Sequence, residues 1–357
     1  MTLPNHFMRS ATCELFSESD GFPTEEHKKT IKKLAKGKTG LIIPGYVYVN
    51  KNGKGLPGQC GFDSLEKAKS WKSTVDEVHK EGSKIMFQIA HCGIASLTSE
   101  KRTPSRIFPF SKSYTIAEIE DLIEDFRKAS VYAESIGADG VQIHAAHGYL
   151  LSLFLSPLTN RRNDKYGGSP ERRIRIIQEI VDSIRASTSP EFAIGIKMNG
   201  TDNLGLLGVR PKLCSKYVSM LKGIDLFEIS CGLGNFMTSI SFQTVGFPAV
   251  LCNFFNPWAF REDFNQESAE YIKKQNPDKI IASVGGHRNF ALMEKAVKEK
   301  RYDIVSMSRP FIRQPNLVKM YMEGKIKRVD CLSCNKCIFE QYFSKNSNGP
   351  FLRCKYP

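Results

Sequence analysis

His144, His147 and Tyr149 fall within six positions, immediately after the apolar run 140–143. Two imidazoles and a phenol are side chains that donate hydrogen bonds near neutral pH. Val141 and Ile143 are the apolar members of a β-type run, and Gly148 supplies a turn that lets the three groups converge at its end. The competing assignment is a pair of structural histidines satisfied at a strand end. Which holds depends on what the rest of the chain builds around them.

Short β-branched or apolar runs recur at 6–10, 40–45, 84–90, 140–144, 192–198, 226–230, 279–284 and 303–307. Segments with helical spacing separate them at 24–36, 65–81, 116–136, 170–186, 211–221, 266–275 and 290–299, and another follows at 316–322. In the third of these, Ile119, Leu122, Ile123, Phe126, Ala129 and Ala133 recur in three- and four-residue steps, so one face packs and the other meets water. Eight alternations predict a (β/α)8 TIM barrel over 1–325, and a doubly wound open sheet is the competitor. The remainder, 326–357, is expected to be a cysteine-containing extension packed on the barrel.

In such a barrel the chemistry sits at the C-terminal strand ends, with anions held by the loops after strands seven and eight. Gln88, His144 and Lys197 close the third, fourth and fifth runs, which aims them into the mouth. Gly285 and Gly286 follow the seventh run and Ser308 and Arg309 the eighth, a backbone and a cation suited to phosphate. For Lys197, the alternative role is an ordinary salt-bridged lysine.

The 357 residues are 41% hydrophobic and 25% charged, which excludes a disordered chain. No apolar run has the length of a membrane span, and the first residues lack a signal-peptide pattern. A cytoplasmic protein without membrane partners is therefore expected. Six of the ten cysteines are scattered and read as reduced thiols. The net charge of +14 admits a nucleic-acid-binding barrel, but the basic residues are spread along helical segments such as 27–38 rather than gathered in a groove. No nucleic-acid partner is expected; solvated helix faces account for most of the charge, and attraction of acidic ligands such as dinucleotides or CoA esters is the residual alternative.

The blocks HAAHGYLLSLFLSPLTNRRNDKYGGS, GLIIPGYVYV, FQIAHCG and SMSRPFIRQP resemble, in order and over nearly the whole chain, the Old Yellow Enzyme family of FMN-dependent NAD(P)H:ene oxidoreductases, close to the single-barrel relatives of dienoyl-CoA reductase. The resemblance implies FMN as cofactor and NAD(P)H as electron donor. It implies that Ser10, Ala11 and Thr12 contact the flavin, that Gly45 and Gln88 approach its pyrimidine side, and that Lys197 stands near N1. Gly285, Gly286, Ser308 and Arg309 would hold the phosphate. His144 and His147 would bind a substrate carbonyl oxygen, with His144 also lying against the cofactor, and Tyr149 would deliver a proton. Cys13 matches a position where one bacterial branch carries a flavin-tuning cysteine; its alternative is an inert thiol.

Two regions depart from the family pattern. Only Met1 to Pro4 and Asn5 precede the first run, with His6 in place of an arginine, so the pairing of that strand is what the resemblance specifies least. Cys331, Cys334, Cys337 and Cys354 resemble the [4Fe-4S] region of dienoyl-CoA reductase relatives, with one residue fewer between the second and third cysteines. Four thiols suit a [4Fe-4S] cluster or zinc; the altered spacing makes a metal-free tail the leading expectation. An enone reductase is the leading function, a flavin, quinone or nitro-compound reductase the alternative. The segments 94–110 and 231–260 would shape the pocket, and a homo-oligomer is compatible with the family.

Overall fold

The computed structural model describes residues 1–233, 261–337 and 353–354. Most of the pocket-shaping segment 231–260, and much of the tail after 337, lie outside them.

Eight parallel strands form the barrel: β1 (Phe7–Arg9), β2 (Leu41–Ile42), β3 (Lys84–Ala90), β4 (Gly140–Ala145), β5 (Ala193–Thr201), β6 (Leu226–Cys231), β7 (Ile281–Val284) and β8 (Ile304–Met307). Each pairs with its neighbours, and β1 pairs with both β8 and β2, which closes the ring and satisfies the backbone of the strand the family pattern specified least. The chain is thus a (β/α)8 TIM barrel.

Among the described residues, eight helices follow the strands in turn: α1 (Glu25–Lys36), α2 (Lys72–Lys80), α3 (Ile116–Ser135), α4 (Arg175–Arg185), α5 (Pro211–Met220), α6 (Gln266–Gln275), α7 (Phe290–Lys298) and α8 (Leu317–Met322). Their sequences explain their limits. Thr115 and Glu118 form a reciprocal capping box at the start of α3, satisfying amides that the first turn leaves unpaired. In α4, Ile176, Ile177, Ile180, Val181 and Ile184 are buried; each such side chain contributes about 1.5–3 kcal/mol. The helix-facing side chains of the sheet and the inner faces of the helices form one large apolar layer.

Two expected helices are interrupted. The segment 65–81 divides into Leu65–Lys69 and α2, with the fully buried Trp71 at the junction. Likewise 170–186 divides into Pro170–Arg173 and α4 around Ile174. Periodicity runs through both junctions, so it does not reveal them. A short strand, Val47–Tyr48, pairs beside β3 and extends the sheet past the second barrel strand.

Candidate active site

Inside the ring, side chains alternate along each strand, and the alternation separates floor from mouth. The floor is apolar: Met8, Leu41, Met86, Ala193, Leu226, Ala282 and Ile304 form a closed cluster. Two residues beyond Met8, Met86, Leu226 and Ile304 stand Ser10, Gln88, Glu228 and Ser306, all buried. One further step of two brings Gln142 to His144, Lys197 to Asn199 by the same count, and Glu228 to Ser230. The mouth is therefore polar because the strand period makes it so.

His144 is the penultimate residue of β4, next to Lys197, its register partner on β5. Its ring lies 5.3 Å from that of His147 and 4.9 Å from that of Tyr149, both edge-on. The three side chains named from spacing thus converge. Gly148 adopts φ +80°, and His147 itself is left-handed at φ +63°, a conformation that costs a side-chain-bearing residue energy. Asn199 holds it by accepting a hydrogen bond from the His147 amide at 3.1 Å. Asn199 sits at a bulge between β5 and β6, the kind of irregularity that re-aims side chains at barrel rims.

Burial holds His144 well below the usual imidazole range, with His147 and Lys197 adding to the effect. Burial, then Lys197, brings His147 down to about 3. Both rings are therefore neutral at pH 7, each with a single N–H. Nε2 of His147 lies 2.7 Å from Ser230 Oγ, which leaves Nδ1 of that ring to face a ligand. Among the described residues, Nδ1 of His144 is buried with no partner. Such an orphan costs stability unless something bound there satisfies it.

The same burial sets an acid response. Between pH 6.5 and about 3 the unfolded chain protonates His147 while the native chain does not. Burial brings His91 down to about 4, so it behaves alike. The unfolded state then binds more protons, and stability falls as pH falls. Glu14 adds to this lower down, because Arg9 and His27 bring its carboxyl down to about 2 against the opposing effect of burial. A lower melting temperature at pH 5 than at pH 7 is expected; an equal or higher one would contradict these assignments.

Tyr149 is buried at the start of the short helix Leu150–Leu155 and donates to Tyr46 Oη at 2.9 Å. Tyr46 Oη is in turn 3.3 Å from Cys13 Sγ, so Cys13 enters the same cluster. Sequence reasoning missed Tyr46, although it lies within the quoted block GLIIPGYVYV; nothing local marks it until Tyr149 is placed beside it. It missed Gln142 and Glu228 as well. Lys197 donates to Ser10 Oγ at 2.7 Å and lies 3.3 Å from Glu228. Gln88 donates to Gln142 Oε1 at 2.6 Å. Gly45 packs against the first segment: a Cβ there would stand 2.7 Å from the Thr12 carbonyl oxygen. Its amide is taken by Glu14 at 2.9 Å.

At the ends of β7 and β8, Thr12 Oγ1 lies 2.7 Å from Ser308 Oγ, joining the first segment to the last. Gly285 and Gly286 have φ +142° and +79°. A Cβ on Gly286 would meet the Arg261 carbonyl oxygen at 2.4 Å. Gly286→Ala is therefore expected to cost about 1–3 kcal/mol in backbone strain, read as a lowered melting temperature together with a lower flavin-to-protein absorbance ratio. Arg309 donates to Asn335 Oδ1 at 2.5 Å. Arg288, which donates to Ser333 Oγ at 2.6 Å and lies close enough to Arg309 to be affected by its charge, is a second cation that the sequence reading did not single out.

Cys331, Cys334, Cys337 and Cys354 line one cavity with Arg309. Among the described residues, no three His, Cys, Asp or Glu side chains are spaced to hold a single metal ion. The thiols gather without forming such a ligand set. No described helix is long and apolar enough to cross a membrane.

The model of the NADH:flavin oxidoreductase / NADH oxidase family matches residues 1–327. The NADPH dehydrogenase of Bacillus subtilis (strain 168) is 30% identical over 322 residues, 88% of this chain and 89% of that protein. An NADH-dependent flavin oxidoreductase of Hypocrea jecorina is 29% identical, covering 90% of this chain and 86% of its own. A 2-naphthoyl-CoA reductase, solved with 2-naphthoyl-CoA, superposes with a TM-score of 0.83 at 27% identity over 95% of this chain. This chain spans 53% of that longer one. Morphinone reductase with tetrahydroNAD gives 0.73 at 21% identity, covering 94% of this chain and 91% of its own, and shares the fold.

Proposed function

Because this chain belongs to the NADH:flavin oxidoreductase / NADH oxidase family, and so is an FMN-dependent enzyme drawing on NAD(P)H, we propose that it reduces the carbon–carbon double bond of α,β-unsaturated carbonyl compounds. The observation that carries this reading is the buried Nδ1 of His144, unpartnered among the described residues, beside His147 and Tyr149. A carbonyl oxygen is the kind of group that satisfies it. The 2-naphthoyl-CoA bound by one structural relative is itself a carbonyl conjugated to carbon–carbon double bonds.

The residues fit FMN: orphaned and cationic polar groups line the mouth, and the glycine turn at β7 has no room for a Cβ. Ser10, Ala11, Thr12, Cys13, Gly45, Gln88, His144 and Lys197 would surround the ring; Gly285, Gly286, Ser308, Arg309 and Arg288 would take the phosphate. When bound, FMN supplies hydride chemistry at its N5. The protein does the rest.

His144 and the Nδ1 side of His147 hold the carbonyl oxygen and stabilise the negative charge that gathers there as the β-carbon is attacked, at about 3 kcal/mol for a well-placed donor. Ser230 sets the tautomer of His147: when its hydroxyl donates to Nε2, the ring proton is on Nδ1. Neutral imidazoles suit an uncharged ketone. Tyr149 gives its hydroxyl proton to the α-carbon. Tyr46, the acceptor of that hydroxyl in the resting site, turns its own O–H toward the phenolate that remains.

The test is product analysis with NADH or NADPH and 2-cyclohexen-1-one, against menadione as a rival acceptor. Cyclohexanone formation supports the reading. Menadione turnover without enone reduction would overturn it in favour of a quinone reductase.

A further inference from the structure

Glu228 is an acid in the middle of an apolar strand, flanked by Leu226, Phe227 and Ile229, and none of it is exposed. A buried carboxylate is costly unless it is surrounded by donors. Here the donors come from around the ring. Oε1 accepts from Ser10 Oγ at 2.6 Å and from Ser306 Oγ at 2.7 Å. Oε2 accepts from Gln142 Nε2 at 2.9 Å and lies 3.3 Å from Lys197 Nζ.

Resting on the FMN-binding reading above, we infer that Glu228 is a positioning residue that sets how readily the bound flavin is reduced, by offsetting the charge of Lys197 and by orienting Gln88. Two features carry this. The first is directional. A carboxylate only accepts hydrogen bonds, so Gln142 must turn its Nε2 toward Glu228. Its Oε1 then faces Gln88 and accepts from Nε2 there. Ser10 is ordered by the same logic: it donates to Glu228 and so accepts from Lys197. One acid thus fixes the polarity of three side chains that line the mouth.

The second feature is charge. A lone cation at the Lys197 position favours the negative charge that a flavin gains on reduction. A carboxylate 3.3 Å from that cation takes back much of this effect, because the pair is buried and poorly screened. Glu228 therefore holds the flavin harder to reduce than Lys197 alone would make it.

The test is the midpoint potential of the purified flavoprotein at pH 6, measured by dye-equilibrated spectroscopic titration. Glu228→Gln keeps the volume and removes the charge. It is expected to raise the reduced-to-oxidised ratio at a fixed potential about tenfold, equivalent to ~30 mV for a two-electron couple. Glu228→Gln combined with Lys197→Met removes both charges and leaves no buried ion unpaired, so it tests the same point if the single variant fails to fold. Its ratio should stay within about tenfold of the parent, because two opposed effects are deleted together. An unchanged potential in Glu228→Gln, or a fall well beyond tenfold in the double variant, would overturn the inference while leaving the enzyme reading intact. A parent protein that carries no FMN and takes up none would instead overturn the cofactor assignment on which both rest.

Discussion

Tyr149→Phe is expected to lower enone turnover about 10²–10⁴-fold, the range that a positioned general acid contributes, while flavin reduction by NAD(P)H stays close to the parent rate. The asymmetry follows from the geometry. The hydroxyl is buried beside His144 and directed at Tyr46, and the substitution removes one oxygen without opening a cavity. Only the step that needs a proton at carbon suffers. Stopped-flow measurement of the two half-reactions separates them: loss confined to re-oxidation by enone supports the assignment, and equal loss in both halves would point to disturbed flavin binding. Menadione, which needs no proton at carbon, should still re-oxidise the variant at near the parent rate.

Replacing His144 with alanine should cost about 10²–10³-fold in enone turnover, the cost of one lost donor to a developing oxyanion, and His147→Ala a comparable amount. The double variant should lose less than the product of the two, because both donors act on one oxygen and contacting residues are not additive. Both rings are neutral in the resting site, so enone turnover should show no inflection near pH 6.5 from either histidine. A turnover profile that collapses on protonation near 6.5 would contradict the buried, neutral pair.

The strand ends were legible in the sequence because a strand has period two and a barrel has one catalytic face. His144, Lys197 and Gln88 were placed at the mouth on that ground alone; all three are buried, His144 one residue and Gln88 two before the ends of their strands, whereas Lys197 lies four before the end of β5, which runs on to Thr201. The glycine pair after β7 was legible for the same reason. What could not be read were partnerships across the ring. Glu228 is visible as a single acid in an apolar run, but its reason for being there is Lys197 on the neighbouring strand and Ser306 far along the chain. Tyr46 acquires meaning only when Tyr149 is folded against it. The breaks at Trp71 and Ile174 were hidden because apolar spacing continues through them, with no proline or glycine at the junction. His147 was read as half of a donor pair; its engagement with Ser230 leaves it a single free-facing nitrogen, which spacing along one strand could not show.

The most direct test is the oxidative half-reaction. Protein reduced with one equivalent of NADH or NADPH is mixed anaerobically with 2-cyclohexen-1-one, and flavin absorbance and product are followed together. The absorbance of oxidised flavin is expected to return as cyclohexanone forms in equal amount. Reduced protein that stays bleached in the presence of the enone, yet is re-oxidised by menadione, would contradict it.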